Sequence, residues 1–353
     1  MTLLLSGPGT VITLMVDVES NVMDSENVNG AGTNRKHILD VDVLSEDEII
    51  NILDQTDAMS EVLRRDIKKV PALRGRVIVT LFYEASTRTR ISFEEAGKIL
   101  SADVINMSSS GSSVDKGESL LNTGLTLQAM GVDVIVLRHP YSGAPNLLAK
   151  HLPKVSIINA GDGLHAHPTQ ALLDAYTVRS KLGSLKGMKI VIVGDVLHSR
   201  VARSAIWAFT KLGAEIVLSG PNTLMPIGLN LVDGRANVLP PVSVQPDLDE
   251  AIRGAGVVMA LRLQNERQNG GYLPSLREYI RRWQITKDRL SSASKEVLVM
   301  HPGPMNEGIE ISTEVAHGGR SLIEEQVTNG VALRMALLYQ VSAGGYQIEE
   351  EHP

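Results

Sequence analysis

The chain has no cysteine, which removes disulfides, thiolate nucleophiles and Cys-ligated zinc, and leaves the redox compartment open. Aromatic residues make up only 3% of it, so its cores must be packed by Leu, Ile, Val, Met and Ala. No run reaches the roughly 18 consecutive apolar residues a membrane-spanning helix needs. The apolar pieces at 2–5 and 11–16 are broken by Ser6, Gly7, Pro8 and Gly9. A positive charge balance is missing too. With 34 Lys and Arg against 40 Asp and Glu the net charge is −6. No global field therefore attracts a nucleic acid backbone, and any anion must be bound by a local cluster. Residues 1–34 hold four acids (Asp17, Glu19, Asp24, Glu26) and no Lys or Arg. That is the opposite of a secretory or organelle-targeting leader, and the cytoplasm is the expected compartment.

At 353 residues the chain is long enough for two ordinary domains. The stretch 21–34 is rich in Asn, Ser, Asp and Gly, and residues 1–34 read as a poorly ordered extension. A later start at Met15 or Met23 is the other account of them. From Arg35 onward helical and extended patterns alternate, the signature of an α/β protein with parallel sheets. Ser45 and Glu48 have capping-box spacing ahead of a helical face made by Ile49, Ile50, Leu53 and Ala58. Residues 76–83 (RVIVTLFY) read as a buried strand, followed by a polar turn and a helix over 87–100, and 132–137 and 155–159 are further strands. The run 189–193 (KIVIV), an amphipathic stretch over 200–212 and 215–219 (EIVLS) form a βαβ unit that opens a second domain. Strands at 257–261 and 297–300 continue it, and a long helix over 321–341 closes the chain. There is no internal repeat and no heptad pattern, which removes solenoids and fibres.

The densest chemistry is Ser86-Thr87-Arg88-Thr89-Arg90, placed between the strand and the helix. Free backbone N–H groups and the positive dipole end at a helix start favour an anion; hydroxyls and guanidiniums add donors that phosphate oxygens accept. The plainer account is that Ser86 and Thr87 cap the helix and the arginines are solvated. Two arginines in a first turn weigh against it, because cations there are unfavourable unless an anion offsets them.

The stretch FYEASTRTRISFE (82–94) resembles the carbamoyl phosphate signature of the aspartate and ornithine carbamoyltransferases. The resemblance continues in order through Lys116-Gly117-Glu118, Arg138-His139-Pro140, Gly161-Asp162-Gly163 and His167-Pro168-Thr169-Gln170. It then takes in Arg200 after Val193-Gly194-Asp195, Arg262-Leu263-Gln264 and His301-Pro302-Gly303-Pro304, so that it covers roughly 36–341. The ornithine branch of that family typically carries His-Cys-Leu-Pro near its C-terminal end and lacks the loop lysine. Here His301-Pro302-Gly303-Pro304 and Lys116 stand in those places, so the chain is more similar to the aspartate branch. An anionic second substrate needs extra cations, and Lys116, Arg200 and Arg262 supply them.

The resemblance implies an α/β fold of two similar-sized domains, each a parallel β-sheet flanked by helices, with the active site in the interdomain cleft. Residues 35–167, with the helix 321–341 packed back on them, would bind carbamoyl phosphate; residues 168–320 would bind aspartate. Ser86, Thr87, Arg88 and Thr89 would hold the phosphate, with Arg138 adding a charge-assisted bond. His167, Arg88 and Thr89 would donate to the carbamoyl oxygen, while Gln170 and the carbonyls of Gly303 and Pro304 would orient the carbamoyl NH2. Arg200 would grip the α-carboxylate of aspartate and Arg262 its side-chain carboxylate, with Gln264 beside it. Neither metal nor organic cofactor is implied. Ser112 and Lys116 occupy the positions of a loop that enters the neighbouring subunit's site, so the resemblance implies a homotrimer with shared sites. Association with regulatory chains or dihydroorotase is left open, and no nucleic acid or membrane partner is expected.

Several rival readings are weaker. His165 and His167 have the spacing of a strand-borne zinc pair, but Pro168 and the residues after it read as a helix start. Gly194-Asp195 after KIVIV lacks the GxGxxG fingerprint of a dinucleotide site. Residues 265–272 (NERQNGGY) read as a lid closing on aspartate or as a plain loop. Glu307 stands where related chains often place an arginine and, if it faces the cleft, would weaken anion binding. An ornithine-type acceptor and an inert scaffold partner of a pyrimidine-pathway enzyme are the alternatives in function; the cationic set argues against both.

Overall fold

The computed structural model of the protein describes residues 35–108, 117–226, 239–263 and 275–343. Helix α1 (Glu46–Leu63) begins on the expected capping box: Ser45 Oγ accepts from the Glu48 amide at 3.2 Å, and the Glu48 carboxylate accepts from the Ser45 amide at 2.8 Å. After it come β1 (Val77–Phe82), α2 (Thr87–Ile99), β2 (Asp103–Ser108), α3 (Leu120–Ala129), β3 (Val134–His139), α4 (Ala144–His151) and β4 (Ser156–Asp162). The four strands form one parallel sheet in the order β2-β1-β3-β4. Helix α5 (Pro168–Leu182) leads to a second unit made of β5 (Lys189–Val193), α6 (Arg200–Lys211), β6 (Glu215–Ser219), β7 (Ser243–Val244), α7 (Leu248–Ile252) and β8 (Val257–Ala260). The short helices α8 (Leu276–Trp283) and α9 (Lys287–Leu290) precede β9 (Leu298–Met300), and α10 (Thr313–Ala316) and α11 (Ile323–Ala343) close the chain. The second sheet is also parallel, in the order β7-β6-β5-β8-β9.

Strand periodicity divides the apolar side chains between the two faces of each sheet. Ile78, Val134 and Val136 face the same core as Ile190, Ile192 and Met259, and residues of α5 and α11 fill the space between. Their neighbours Val79, Leu81, Ile135 and Leu137 turn to the opposite face, against Leu127 of α3 and Leu148 of α4. Val191, Val193 and Val258 do the same in the second sheet, against Ile252 and Tyr279. Helix α5 is buried on every side from Pro168 to Val178, which is why it shows no amphipathic stripe. Helix α11 packs on α1, α2 and α5, and Ser156 Oγ of β4 donates to the Val341 carbonyl near its end at 3.0 Å. Among the described residues no helix is long and apolar enough to cross a membrane.

The expected strands and helices from α1 to α11 are present, with no end moved by more than three residues. Strand β2 was not expected. It lies at the sheet edge with Ile105 half exposed, so it has no alternation of buried and polar residues to mark it.

Candidate active site

In both sheets the chain reverses the direction in which it adds strands. After β1 it steps to one side for β2 and then to the other for β3; after β5 it runs out to β7 and returns beside β5 for β8. At such points the loops leaving the C-terminal ends of adjacent strands part and open a crevice. The end of β1 leads into Ser86–Arg90, and Arg138 is the penultimate residue of β3. Arg200 opens the helix after β5, and Arg262 follows β8 by two residues. Four arginines singled out in the sequence thus stand at the two switch points.

Around Thr87 the helix start is furnished for an anion. Ser86 is the N-cap residue of α2, but its hydroxyl makes no capping bond, and the first turn holds no acid. The plain capping account therefore fails for Ser86. Thr87 and Arg88 are exposed and Thr89 is buried. Gly303, with φ +66°, comes so close to the Arg88 guanidinium that a Cβ there would lie 2.9 Å from Nη1. This close approach brings the 301–304 loop from the far end of the chain onto the start of α2. The Gly303–Pro304 peptide is cis.

A second convergence lies over Gly161. A Cβ at this residue would sit 3.0 Å from Arg200 Cζ and 3.2 Å from Arg138 Nη1, and its φ is +115°. Only glycine combines that conformation with that space. Arg138 Nη1 donates to the Ala160 carbonyl at 3.1 Å and lies 3.4 Å from His167 Nε2. Arg200 donates through Nη1 to the Gly163 carbonyl at 3.2 Å and through Nη2 to Glu84 at 2.6 Å, and the same Glu84 oxygen is 3.5 Å from Arg138 Nε. Glu84 was not singled out in the sequence. It lies between two guanidiniums, so an anion of the chain itself already meets the cations at this point. Asp162 holds the turn that carries Gly161 and His167: its carboxylate accepts from the Gly143 amide at 2.7 Å, the Ala166 amide at 3.2 Å and Asn159 Nδ2 at 2.8 Å.

His167 precedes α5 as its N-cap residue, and its amide donates to Ser204 Oγ at 2.9 Å. Burial, and then the charges of Arg138, Arg200 and Arg334, hold its ring well below the usual imidazole range. An arginine can only donate, so Nε2 facing Arg138 is the accepting nitrogen and the proton sits on Nδ1. Nδ1 is buried and has no hydrogen-bond partner among the described residues. The ring is thus held neutral, suited to act by hydrogen bonding rather than by releasing a proton. Because the folded value lies below the unfolded one, the neutral ring's share of stability is complete above about pH 6.5 and declines as pH falls below it. In an imidazole nitrogen NMR titration His167 is expected to remain neutral at pH 6; a charged ring at that pH would contradict this environment.

Gln170 and the 301–304 loop meet through a third residue. Gln170 Nε2 donates to Asp174 Oδ1 at 2.9 Å, Gln326 Nε2 of α11 donates to the same oxygen at 2.7 Å, and Gln326 Oε1 accepts from the His301 amide at 3.0 Å. His301 Nδ1 accepts from the Gly303 amide at 2.9 Å, and its Nε2 lies 3.1 Å from the fully buried Glu310.

Arg262 is half buried at the second switch point. Ser112, Lys116, Gln264 and the stretch 265–272 lie outside the described residues. The two histidines of the zinc-like spacing face different partners: His165 turns to Asp162 and Asp40, His167 to Arg138. Among the described residues no cluster of His, Cys, Asp or Glu has the arrangement to hold a metal ion. Glu307 is exposed and turns to His317 at 3.4 Å. Its carboxyl is lowered by hydrogen bonds from Thr313 and His317, so it belongs to the α10 neighbourhood.

Fold and site together define an α/β protein of two parallel-sheet domains with a cationic, hydroxyl-bearing cluster at the C-terminal ends of its strands. Comparison with known proteins agrees with this class. The carbamoyl-P binding domain of aspartate/ornithine carbamoyltransferase matches residues 36–180, and the Asp/Orn binding domain of the same family matches 186–341. The chain is 57% identical to the aspartate carbamoyltransferase catalytic subunit of Roseiflexus castenholzii over 308 residues, which are 87% of this chain and 95% of that one. It is 56% identical to the corresponding subunit of Desulforamulus reducens over 312 residues, 88% of this chain and 97% of the other. Among solved structures, Trypanosoma cruzi aspartate transcarbamoylase in complex with N-(phosphonacetyl)-L-aspartic acid superposes with a TM-score of 0.75 at 31% identity, covering 86% of this chain and 95% of that one. Ornithine carbamoyltransferase from Pyrococcus furiosus superposes with a TM-score of 0.76 at 27% identity, covering 87% and 97%. The chain belongs to the aspartate/ornithine carbamoyltransferase family.

Proposed function

We propose that the chain transfers the carbamoyl group of carbamoyl phosphate to the α-amine of L-aspartate, giving N-carbamoyl-L-aspartate and phosphate, the chemistry of pyrimidine biosynthesis. The observation that carries the reading is the gathering of Arg88, Arg138, His167 and Arg200 around two glycines, Gly161 and Gly303, which leave room for the guanidiniums. The aspartate rather than ornithine acceptor is supported by the curated relatives at more than half identity and by the arginines at the second switch point.

Each residue then has a part. The amides and hydroxyls of Ser86, Thr87 and Thr89, with Arg88 and Arg138, hold the phosphate against the positive end of α2. His167, Arg88 and Thr89 stabilise the negative charge that grows on the carbamoyl oxygen. Gln170 Oε1 and the carbonyls of Gly303 and Pro304 accept from the carbamoyl NH2. Arg200 and Arg262 each take one carboxylate of aspartate, with Gln264 beside them. The amine nitrogen forms a bond to the carbamoyl carbon, the bond from that carbon to the phosphate oxygen breaks, and the departing phosphate takes the amine proton. Holding two anions in contact against their repulsion is the chain's main contribution to the rate.

The same reading divides the chain into residues 35–167 for the donor and 168–320 for aspartate, with the 321–341 helix returned to the first; the packing of α11 on α1 and α2 supports this. It makes the active unit a homotrimer in the cytoplasm, with Ser112 and Lys116 reaching the neighbouring chain's site.

A steady-state assay comparing aspartate with ornithine, beside a native mass measurement, tests the proposal. Carbamoyl-aspartate at a native mass about three times the 38.1 kDa chain is expected; carbamoylation of ornithine alone would overturn it. Arg262→Ala is expected to raise the aspartate KM about 10- to 100-fold, the worth of a lost charge-assisted grip. Carbamoyl phosphate affinity should stay within about twofold, and an unchanged aspartate KM would remove Arg262 from the site.

A further inference from the structure

We infer that Asp174 is a positioning residue for the transfer, acting by fixing which end of the Gln170 amide faces the carbamoyl group. Asp174 lies one helical turn after Gln170 on α5 and is fully buried. Its Oδ1 accepts from Gln170 Nε2 at 2.9 Å and from Gln326 Nε2 at 2.7 Å. Ionised or carrying a proton on Oδ2, the carboxyl presents Oδ1 as an acceptor to both amides, so it demands the nitrogen of each and turns both carbonyl oxygens away from itself. One of those oxygens, Gln326 Oε1, takes the His301 amide at 3.0 Å, at the head of the loop that carries Gly303 and Pro304. The other, Gln170 Oε1, is left as an acceptor. The carbamoyl NH2 is a donor and needs acceptors, so an amide turned the other way would face it with its own NH2 and repel it.

One oxygen atom therefore sets the polarity of Gln170 and ties it to the 301–304 loop, the other source of carbonyls proposed to meet the same NH2. Asp174 also offsets the charge of the buried Arg334, a structural part that the Asp174→Asn and Asp174→Leu variants below separate from the orienting one. Asp174 Oδ2 has no hydrogen-bond partner among the described residues, and a buried carboxylate left half-satisfied is destabilising relative to an apolar side chain of similar volume. Burial, opposed by the two amide bonds and by the charge of Arg334, raises its carboxyl to about 7.

The inference rests on the proposed contact between Gln170 and the carbamoyl NH2, so the test separates the two claims. Wild type, Gln170→Ala, Asp174→Ala, the double variant and Asp174→Asn are compared for kcat, both KM values and thermal midpoint. Gln170→Ala and Asp174→Ala are each expected to lower kcat by about 10- to 100-fold, the scale of a misoriented reacting group, with the aspartate KM within about twofold. The double variant should be no slower than Gln170→Ala by more than about twofold. Asp174→Asn keeps the accepting oxygen and should restore most of the activity.

Wild-type kcat in Gln170→Ala would remove the contact on which the inference depends. A slow Gln170→Ala beside an active Asp174→Ala, or fully additive losses, would overturn the role of Asp174 alone. If Asp174→Ala does not fold, Asp174→Leu, which fills the volume without an acceptor, takes its place. A chain that folds with Asn but with neither Ala nor Leu would assign Asp174 to stability only, and the inference would fall.

Discussion

Replacing Arg88 by alanine is expected to lower carbamoyl-aspartate formation about 1000-fold or more while leaving the fold in place. The expected loss comes from its position. Arg88 stands in the first turn of α2, a turn with a second arginine and no acid, where a cation is unfavourable unless an anion sits beside it. Under the proposed mechanism it serves both the phosphate and the carbamoyl oxygen. Deletion of one preorganised donor to a developing oxyanion typically costs about 100- to 1000-fold in turnover, and the loss of a phosphate contact adds to this. The small structural cost reflects exposure, since Arg88 is solvent-facing and no carboxylate pairs with it among the described residues. Truncation at such a place usually changes stability by less than about 0.5 kcal/mol, and relief of the unfavourable charge at the helix start offsets part of that. The measurement is kcat by product formation beside the thermal midpoint. An Arg88→Ala enzyme with wild-type turnover would remove the anion cradle from this helix start.

The same contrast between local and distant chemistry decides how much of the site could be read in the sequence. Ser86–Arg90 was legible because a buried strand, a polar turn and a helix start are all local signals, and the residues that matter sit within one turn. Arg138, Arg200 and Arg262 were legible as motif members, but only the strand order shows why they meet: each comes at the end of a strand at a switch point. The strands KIVIV and EIVLS appear with the bounds expected, because strands covered on both faces are continuous apolar runs. Edge strand β2 has no such run. Helix α5 is buried all round, so its helical period is hidden although its start after His167 was visible. The Asp174 link joins residues of α5 and α11 that are 152 positions apart, and neither helix signals the other. Glu84 lies inside the quoted stretch 82–94 but was given no role there. Its partners Arg138 and Arg200 are 54 and 116 positions away in the chain, and no local pattern marks that its carboxylate meets both.

Glu84 is therefore the second residue whose removal should have a large effect. Arg200 has only 4% of its side chain exposed and reaches Glu84 at 2.6 Å, while Arg138 approaches the same oxygen at 3.5 Å. Both guanidiniums also crowd the space over Gly161. Two effects compete when Glu84 becomes alanine. Arg200 gains a free donor for the aspartate α-carboxylate, which favours binding. Against this, two like charges a few ångströms apart lose the anion that holds them together, and Arg200 loses the bond that fixes its direction. Arg200 retains other N–H groups for a carboxylate while bonded to Glu84 and Gly163, so the freed donor adds little. The repulsion acts at a mostly buried place where water screens it poorly. Loss of direction should win. Glu84→Ala is expected to raise the aspartate KM and to lower kcat/KM for aspartate by about 10- to 100-fold. Glu84→Gln keeps an acceptor without the charge and should fall between this variant and wild type. A Glu84→Ala enzyme that binds aspartate as well as wild type, or better, would mean that Glu84 competes with the substrate for Arg200 instead of aiming it.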